Sequence, residues 1–293
     1  MTTETPDVAA VNKPPRDWMR PVLGGWGILV YLFLFAPIII IVIYSFNTGR
    51  ILASWNGLGV EGYQAVWENV AIRNALWVSI RVALLSAFFA TIIGSLAGVA
   101  LARRPGKWTL GFLGLLALVL VTPEIVDAVA LLPWFVWLGG DLGITFFNNG
   151  LVRLTIGTGI FATAVVTLII RARMSGLDES LEESAADLYA SPWNRFRQIT
   201  LPLMMPAVIA AALLAFTLSL DNTIIASFIS VAGTDTLPVY ILSSVRSALR
   251  PEIAAVSTIL LVLTLAAIAL VAVVLRRGGD SSTQITQTMA GGA

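Results

Sequence analysis

The chain has no cysteine and no histidine among its 293 residues, and only 12% of it is charged. The first absence excludes disulfides and thiolate catalysis, and the second removes imidazole general bases. Together they take away the commonest ligands of transition metals. Any enzymatic chemistry would fall to carboxylates, hydroxyls and Lys or Arg. Neither sign of charge is in excess: 18 Lys and Arg against 17 Asp and Glu give a formal net charge of +1, so there is no concentrated basic face to meet nucleic acid. What the chain has in abundance is apolar surface. With 57% hydrophobic residues and a mean hydropathy of +0.87, its polar residues are too few to cover a water-soluble globule of this length. It belongs in a bilayer, in contact with membrane lipid.

Six apolar runs reach the roughly 20 residues that a helix needs to cross the hydrocarbon core. They lie near Val22 to Phe46, Arg73 to Leu101, Thr109 to Ala128, Gly150 to Ile170, Leu203 to Ile229 and Ile253 to Leu275. The third is interrupted by Thr122, Pro123, Glu124 and Asp127 and followed by a second apolar piece, Val129 to Leu138. The expectation is an all-α polytopic membrane protein. Residues 1–21 would form an unstructured N-terminal tail, residues 22–275 a six-helix membrane domain with a polar loop at 172–202, and residues 276–293 a C-terminal tail. The first run starts late, is too long for the apolar region of a signal peptide and lacks a small-residue cleavage site, so it reads as a permanent span.

Lysine and arginine placement sets the expected orientation. If both termini share one side, that side carries Lys13, Arg16, Arg20, Arg103, Arg104, Lys107, Arg171, Arg173, Arg195, Arg197, Arg276 and Arg277. The other carries Arg50, Arg73, Arg153, Arg246 and Arg250, and Arg81 is left inside the second run. Basic residues packed beside helix ends mark the cytoplasmic face, so both termini and the 172–202 loop are expected in the cytoplasm.

Within that loop, Leu181 to Pro202 reads LEESAADLYASPWNRFRQITLP, a polar island between apolar runs. On a helical wheel Leu177, Leu181, Ser184 and Leu188 share one face, and Glu179, Glu182, Glu183 and Asp187 lie on the other. A helix lying on lipid carries Lys or Arg toward anionic headgroups; an acidic face fits a protein partner instead. Ser191 as N-cap and Pro192 at the first helical position would start a second short helix carrying Arg195 and Arg197. The competing reading is a solvated connector in which Ser180 and Glu183 form a capping box. Pro202 reads as a first-turn proline, and Pro206 as a site where the fifth run can bend.

The island resembles the cytoplasmic loop of bacterial binding-protein-dependent ABC importer permeases, whose pattern is E-A-A, three residues, Gly, nine residues, I-x-L-P. Here it falls on Glu183, Ser184 and Ala185, with Tyr189 at the glycine position and Ile199, Leu201 and Pro202 at the far end. Ser184 departs from an alanine and Tyr189 from the glycine. Phe46 and Asn47, Ala90 to Leu96, Thr122 to Val126, Phe216 to Asp221, Leu237 and Pro238, and Pro251 and Glu252 are similar to the second permease subunit of spermidine/putrescine importers. Permeases for ferric iron, thiamine and sulfate share parts of the pattern.

The resemblance covers about residues 25 to 275 and implies a MetI-like six-helix permease fold in the bacterial inner membrane. It also implies a loop that docks in a cytoplasmic ATPase through Glu182, Glu183, Ser184, Ala185, Asp187, Tyr189, Ile199, Leu201 and Pro202. The implied partners are a second homologous permease, two ATPase subunits and an extracytoplasmic solute-binding protein. The chain itself would bind no cofactor, with ATP and Mg used by the ATPase.

A cargo path should lie where charge is buried. Glu124, Asp127 and Asp221 fall at or near the ends of apolar runs and favour a cation, and Trp134 and Trp137 could offer an indole face to an ammonium group. The alternatives are pairing of Arg81 with one acid, and tryptophans acting as interface anchors. Pro105, Gly106 and Lys107 lack the rest of a phosphate-binding loop. Gly157, Gly159 and Ala162, like Gly94 and Gly98, read as close helix contacts. The other functional class is a self-sufficient ion-coupled carrier or an intramembrane enzyme using the three acids.

Overall fold

The computed structural model describes residues 19–49, 54–246 and 250–277. Arg50, the tail through residue 18 and the tail from residue 278 lie outside the described residues, as do the side chains of Arg20, Arg276 and Arg277. Twelve α-helices are formed among the described residues, named in chain order. They are α1 (Met19–Tyr44), α2 (Glu61–Glu68), α3 (Val70–Arg103), α4 (Lys107–Val121), α5 (Glu124–Val136) and α6 (Gly150–Ser175). The chain continues with α7 (Ser180–Asp187), α8 (Pro192–Arg195), α9 (Leu201–Leu220), α10 (Ile224–Ile229), α11 (Leu237–Val245) and α12 (Pro251–Arg277). Long apolar segments become helices because hydrocarbon offers no partner for backbone N–H and C=O groups, which must then pair within the segment.

Among the described residues five helices are long and apolar enough to cross a membrane: Val22–Tyr44, Val70–Arg103, Gly150–Ser175, Pro192–Leu220 and Pro251–Val274. The third apolar run does not cross as one straight helix. It breaks at Thr122 and Pro123 into α4 and α5, which meet at 103°. Pro123 has no N–H to donate and restricts the residue before it; Thr122, extended at ψ 128°, turns its hydroxyl back onto the Leu118 carbonyl at 2.7 Å. The α4 segment alone rises only about 22 Å, less than the roughly 30 Å of a hydrocarbon core. The fifth run is also shorter than Leu203 to Ile229 suggests. Its helix ends at Leu220, and Asp221 to Thr223 lead into the separate α10.

Small residues bring the central helices together. A Cβ on Gly94 would lie 2.8 Å from Val166 Cβ, and one on Gly98 would lie 2.8 Å from the Thr167 carbonyl oxygen. The backbones of α3 and α6 therefore approach as only glycine permits. Gly157 packs on Ile229 and Ile225, whereas Gly159 has ordinary clearance from Ser86. Where α3, α6 and α9 meet, Ser86, Thr158 and Ser219 form a chain of buried hydroxyls at 2.9 and 2.7 Å. The backbone carbonyls of Thr155 and Leu154 lie within reach of Ser86 and Thr158 at 3.0 and 2.9 Å and compete with the neighbouring hydroxyls for their single protons. The largest apolar core surrounds this junction toward the 172–202 loop, with Ala90, Val166, Ile170, Met174, Met204 and Ala211 buried.

At the opposite end α2, α11 and the start of α12 cap α3 around Val66, Ile72, Leu76, Leu237 and Val256. Asn47, buried there, organises the loop after α1: its amide donates to the Ser54 carbonyl at 2.7 Å and its Oδ1 accepts from the Asn56 N–H at 2.9 Å. By contrast, the Val22–Tyr44 span buries none of its apolar window against the rest of the chain.

Candidate functional site

Two places combine charge with unusual backbone. The first is the knob from α7 to α9. The N-terminus of α7 is not closed by the Ser180 and Glu183 box of the competing connector reading. Asp178 accepts from the Ser180 N–H at 2.9 Å instead, and this hydrogen bond holds the Asp178 carboxyl below the usual carboxylate range. The other end stops at Tyr189, the one non-glycine residue with positive φ (60°) among the described residues. Its N–H donates to the Ala186 carbonyl at 2.9 Å, and the Ala190 N–H donates to Ala185 at 3.0 Å. These two bonds make a Schellman cap, the motif that most often carries glycine at this point. The left-handed turn expected of a glycine is thus kept by a tyrosine, at a local cost of about 1 to 2 kcal/mol.

The second helix of the knob is not separate. Ser191 caps α8 through the Asn194 N–H at 3.4 Å, and Pro192 sits in its first turn as expected. The helix then passes through a π-helical turn, Phe196–Thr200, straight into α9, giving one 29-residue helix from Pro192 to Leu220. The wider turn relieves the clash that Pro202 would otherwise make with the carbonyl four residues earlier. Pro206 lies inside the same helix.

The helical wheel placed the knob's faces only in part. Leu181 is 48% exposed, Leu188 82% and Tyr189 98%, and Trp193 is exposed beside them. This apolar edge points outward because α7 packs against the rest of the chain through Ala185, Ala186 and Glu182. Glu183, Ser184 and Asp187 are exposed with it, Ile199 and Leu201 are half-buried, and Pro202 is exposed at the base. Glu182 turns inward: its Oε1 lies 3.1 Å from Arg103 Nη2 and accepts from Thr200 Oγ1 at 3.0 Å. Arg103 also donates to Glu179 at 2.8 Å. No pattern in the sequence linked Arg103 to the knob, because 76 residues separate it from Glu179.

The second place is the bend. Glu124 and Asp127 sit in the first turn of α5, where the helix dipole favours negative charge. Both are half-buried and have no hydrogen-bond or ion-pair partner among the described residues. Arg81 pairs with neither. It is exposed on α3, about 33 Å along the helix from Arg103. Trp134 falls on the same stripe of α5 as Glu124 and Asp127, but about 10 Å beyond Asp127. There its ring lies against Phe135 and Phe147 at 5.5 and 6.1 Å. Trp137 is off that stripe and exposed. Asp221 caps the end of α9, with Thr264 as its polar neighbour, and leads into α10, which packs on α5 through Ala128, Ile225, Ala226 and Ile229.

Sequence reasoning missed Arg153. Buried near the far end of α6, it donates through Nε to the Phe147 carbonyl and stands over the Phe135 ring, pinning the turn after α5. Among the described residues no cluster of three or more acidic side chains could hold a metal ion.

Comparisons with known proteins agree with this architecture. The putrescine transport system permease protein PotI of Escherichia coli (strain K12) is 39% identical over 246 residues, covering 82% of this chain and 87% of that protein. The spermidine/putrescine transport system permease protein PotC of the same strain is 38% identical, covering 84% and 90%. Among solved structures, a bacterial alginate ABC transporter in complex with an alginate pentasaccharide-bound periplasmic protein includes a chain that superposes with a TM-score of 0.69. It is 17% identical, covering 89% of this chain and 95% of that one, a likeness of fold. Residues 90–278 match the model of the binding-protein-dependent transport system inner membrane component. Bent span, glycine-packed helices and knob are therefore those of a transport subunit, and the chain belongs to the binding-protein-dependent transport system inner membrane component family.

Proposed function

We propose that this permease forms half of the path for a polyamine in an ATP-driven importer, with α7 and its turn as the docking knob for the ATPase. The observation that carries the docking role is the knob's outer edge. Leu181, Leu188, Tyr189 and Trp193 stand exposed beside Glu183 and Asp187, on a turn continuous with a membrane-crossing helix. Exposed apolar groups beside acids, on a part too rigid to fold them away, fit a protein partner rather than water. Movement of that partner would tilt Pro192 to Leu220 as one body.

Basic residues at the knob end, including Arg103, Arg104, Lys107, Arg171 and Arg173, favour the cytoplasm for that end and for both termini. A homologous second permease, two ATPases that use ATP and Mg, and an extracytoplasmic solute-binding protein complete the assembly.

The polyamine assignment is supported by the names of the two relatives and by Glu124 and Asp127 at a helix break within the membrane, where an unpaired acid is expensive unless water or a cation reaches it. The test is uptake of radiolabelled spermidine and putrescine by the complete importer in liposomes, with ATP inside. Saturable, ATP-dependent uptake competed by unlabelled polyamine is expected. Uptake of an anionic solute in preference to a polyamine would overturn the assignment.

A further inference from the structure

The 172–202 knob is joined covalently to two membrane helices and held to a third by side chains. Along the chain, α6 leads through Gly176 to Glu179 into α7, and α7 leads through the Tyr189 turn and α8 into α9. The third connection is Arg103, the last residue of α3. Its guanidinium spans Glu179, the residue before α7, and Glu182 in the first turn of α7, with Nη1 2.8 Å from Glu179 Oε1 and Nη2 3.1 Å from Glu182 Oε1. The same Glu182 oxygen accepts from Thr200 Oγ1 at 3.0 Å, and Thr200 is buried at the base of α9. Glu182 is thus the meeting point of three elements: the end of α3, the knob and the foot of α9.

Beside this connection, between the knob-end halves of α3 and α9, lies a groove of about 520 Å³ lined by Ile92, Leu96, Val99, Phe196, Met204, Val208 and Arg103. Next to the groove Val99 and Ala102 of α3 and Leu201 and Met204 of α9 pack in one apolar core, so Arg103 adds a directional polar tie to a contact that is otherwise apolar. Higher in the membrane, α3 is locked to α6 at Gly94 and Gly98, so what moves the foot of α3 moves that pair.

Resting on the reading of α7 as the docking knob, we propose that Arg103 and Glu182 are positioning residues: a strut that delivers knob motion to α3 at the same time as to α9. In this division of labour Glu183 and the apolar edge meet the ATPase, and Glu182 faces the other way. A guanidinium suits the task because its planar fork holds two carboxylates in fixed geometry, which a lysine ammonium cannot do.

The experiment uses the complete importer in liposomes and measures three quantities: copurification of the ATPase, ATP hydrolysis, and cargo taken up per ATP hydrolysed. For Glu182→Gln and Arg103→Met the expected result is normal copurification and hydrolysis with a roughly tenfold fall in uptake per ATP. Because the chain has no cysteine, the strut can be rebuilt in a double variant, Arg103→Cys with Glu182→Cys, in cysteine-free partners. Uptake per ATP should be low in the free-thiol form and recover when a short bis-methanethiosulfonate bridges the pair, each thiol forming a mixed disulfide with loss of methanesulfinate. Unchanged uptake per ATP in both single variants overturns the strut, as does loss of ATPase copurification in Glu182→Gln, which would return Glu182 to the docking face. Failure of the docking reading shows separately, as unaltered copurification in Glu183→Arg.

Discussion

At the knob, Glu179 and Glu182 share the Arg103 guanidinium while Glu183 and Asp187 face solvent; at the bend, Glu124 and Asp127 are half-buried without a partner among the described residues. The acids of the knob cost little, because each is exposed to water or held by a guanidinium. The pairing of Arg103 with the mostly exposed Glu179 contributes at most about 1 kcal/mol to stability, and the pairing with Glu182, between side chains 14% and 28% exposed, fixes the geometry. The acids of the bend are different. A lone carboxylate in the membrane persists only where water, a cation or a second protein reaches it. On the proposed reading, one region holds charge in place to transmit force, and the other keeps charge open for a cargo.

The largest expected effect breaks the knob side of this contrast. Glu183→Arg should abolish ATPase copurification and reduce uptake by at least tenfold, since it places a cation within the acidic edge without touching the internal strut. Retained assembly and uptake would leave the knob a mere connector. On the bend side, Glu124→Gln should lower polyamine uptake severalfold with assembly intact; equal uptake would mean that the unpartnered acid serves no cargo.

Between the two regions lies the α3 and α6 contact. Gly98→Ala brings a Cβ to 2.8 Å from the Thr167 carbonyl oxygen and 3.0 Å from the Arg171 nitrogen, backbone atoms that cannot swing away. Overpacking of this kind costs about 1 to 3 kcal/mol, to be read as a lowered midpoint of thermal unfolding in detergent. An unchanged midpoint would show that the two helices part easily.

Smaller effects refine the knob itself. Tyr189→Gly removes the penalty of a left-handed tyrosine and adds the entropy of glycine, a net stabilisation of about 0.5 kcal/mol. It also removes an exposed ring from the docking edge, so slightly higher stability with weaker ATPase association is expected. Equal association would take the ring out of the interface. The smallest effect is that of Asp178, whose folded carboxyl titrates below its ordinary value because it accepts from Ser180. A depressed acid contributes stability that is fully present above its unfolded pKa and is lost as pH falls through the folded one. An Asp178 titration at or above the ordinary carboxylate range would contradict that hydrogen bond.

Composition and hydropathy made the membrane class and most spans legible, because each long apolar segment must satisfy its own backbone in lipid. The Glu183 to Pro202 spacing marked the knob and put Tyr189 at the glycine position, and the structure decided the shape of that turn, left-handed at φ 60°. Thr122 and Pro123 announced an interruption, but its 103° angle follows from α5 packing on α10, a contact between segments about 100 residues apart. The facing of α7 was misjudged for the same kind of reason. A wheel ranks residues by polarity alone, whereas Arg103 draws Glu182 inward and leaves Leu181 and Leu188 outside.

The sequence by itself determined what must lie in lipid and which segment is polar, properties set by a residue and its near neighbours. Only the tertiary structure decided which acids are paired and which are left open. That depends on which distant cation the fold brings within about 3 Å, and Coulomb attraction and hydrogen bonding act through space rather than along the chain.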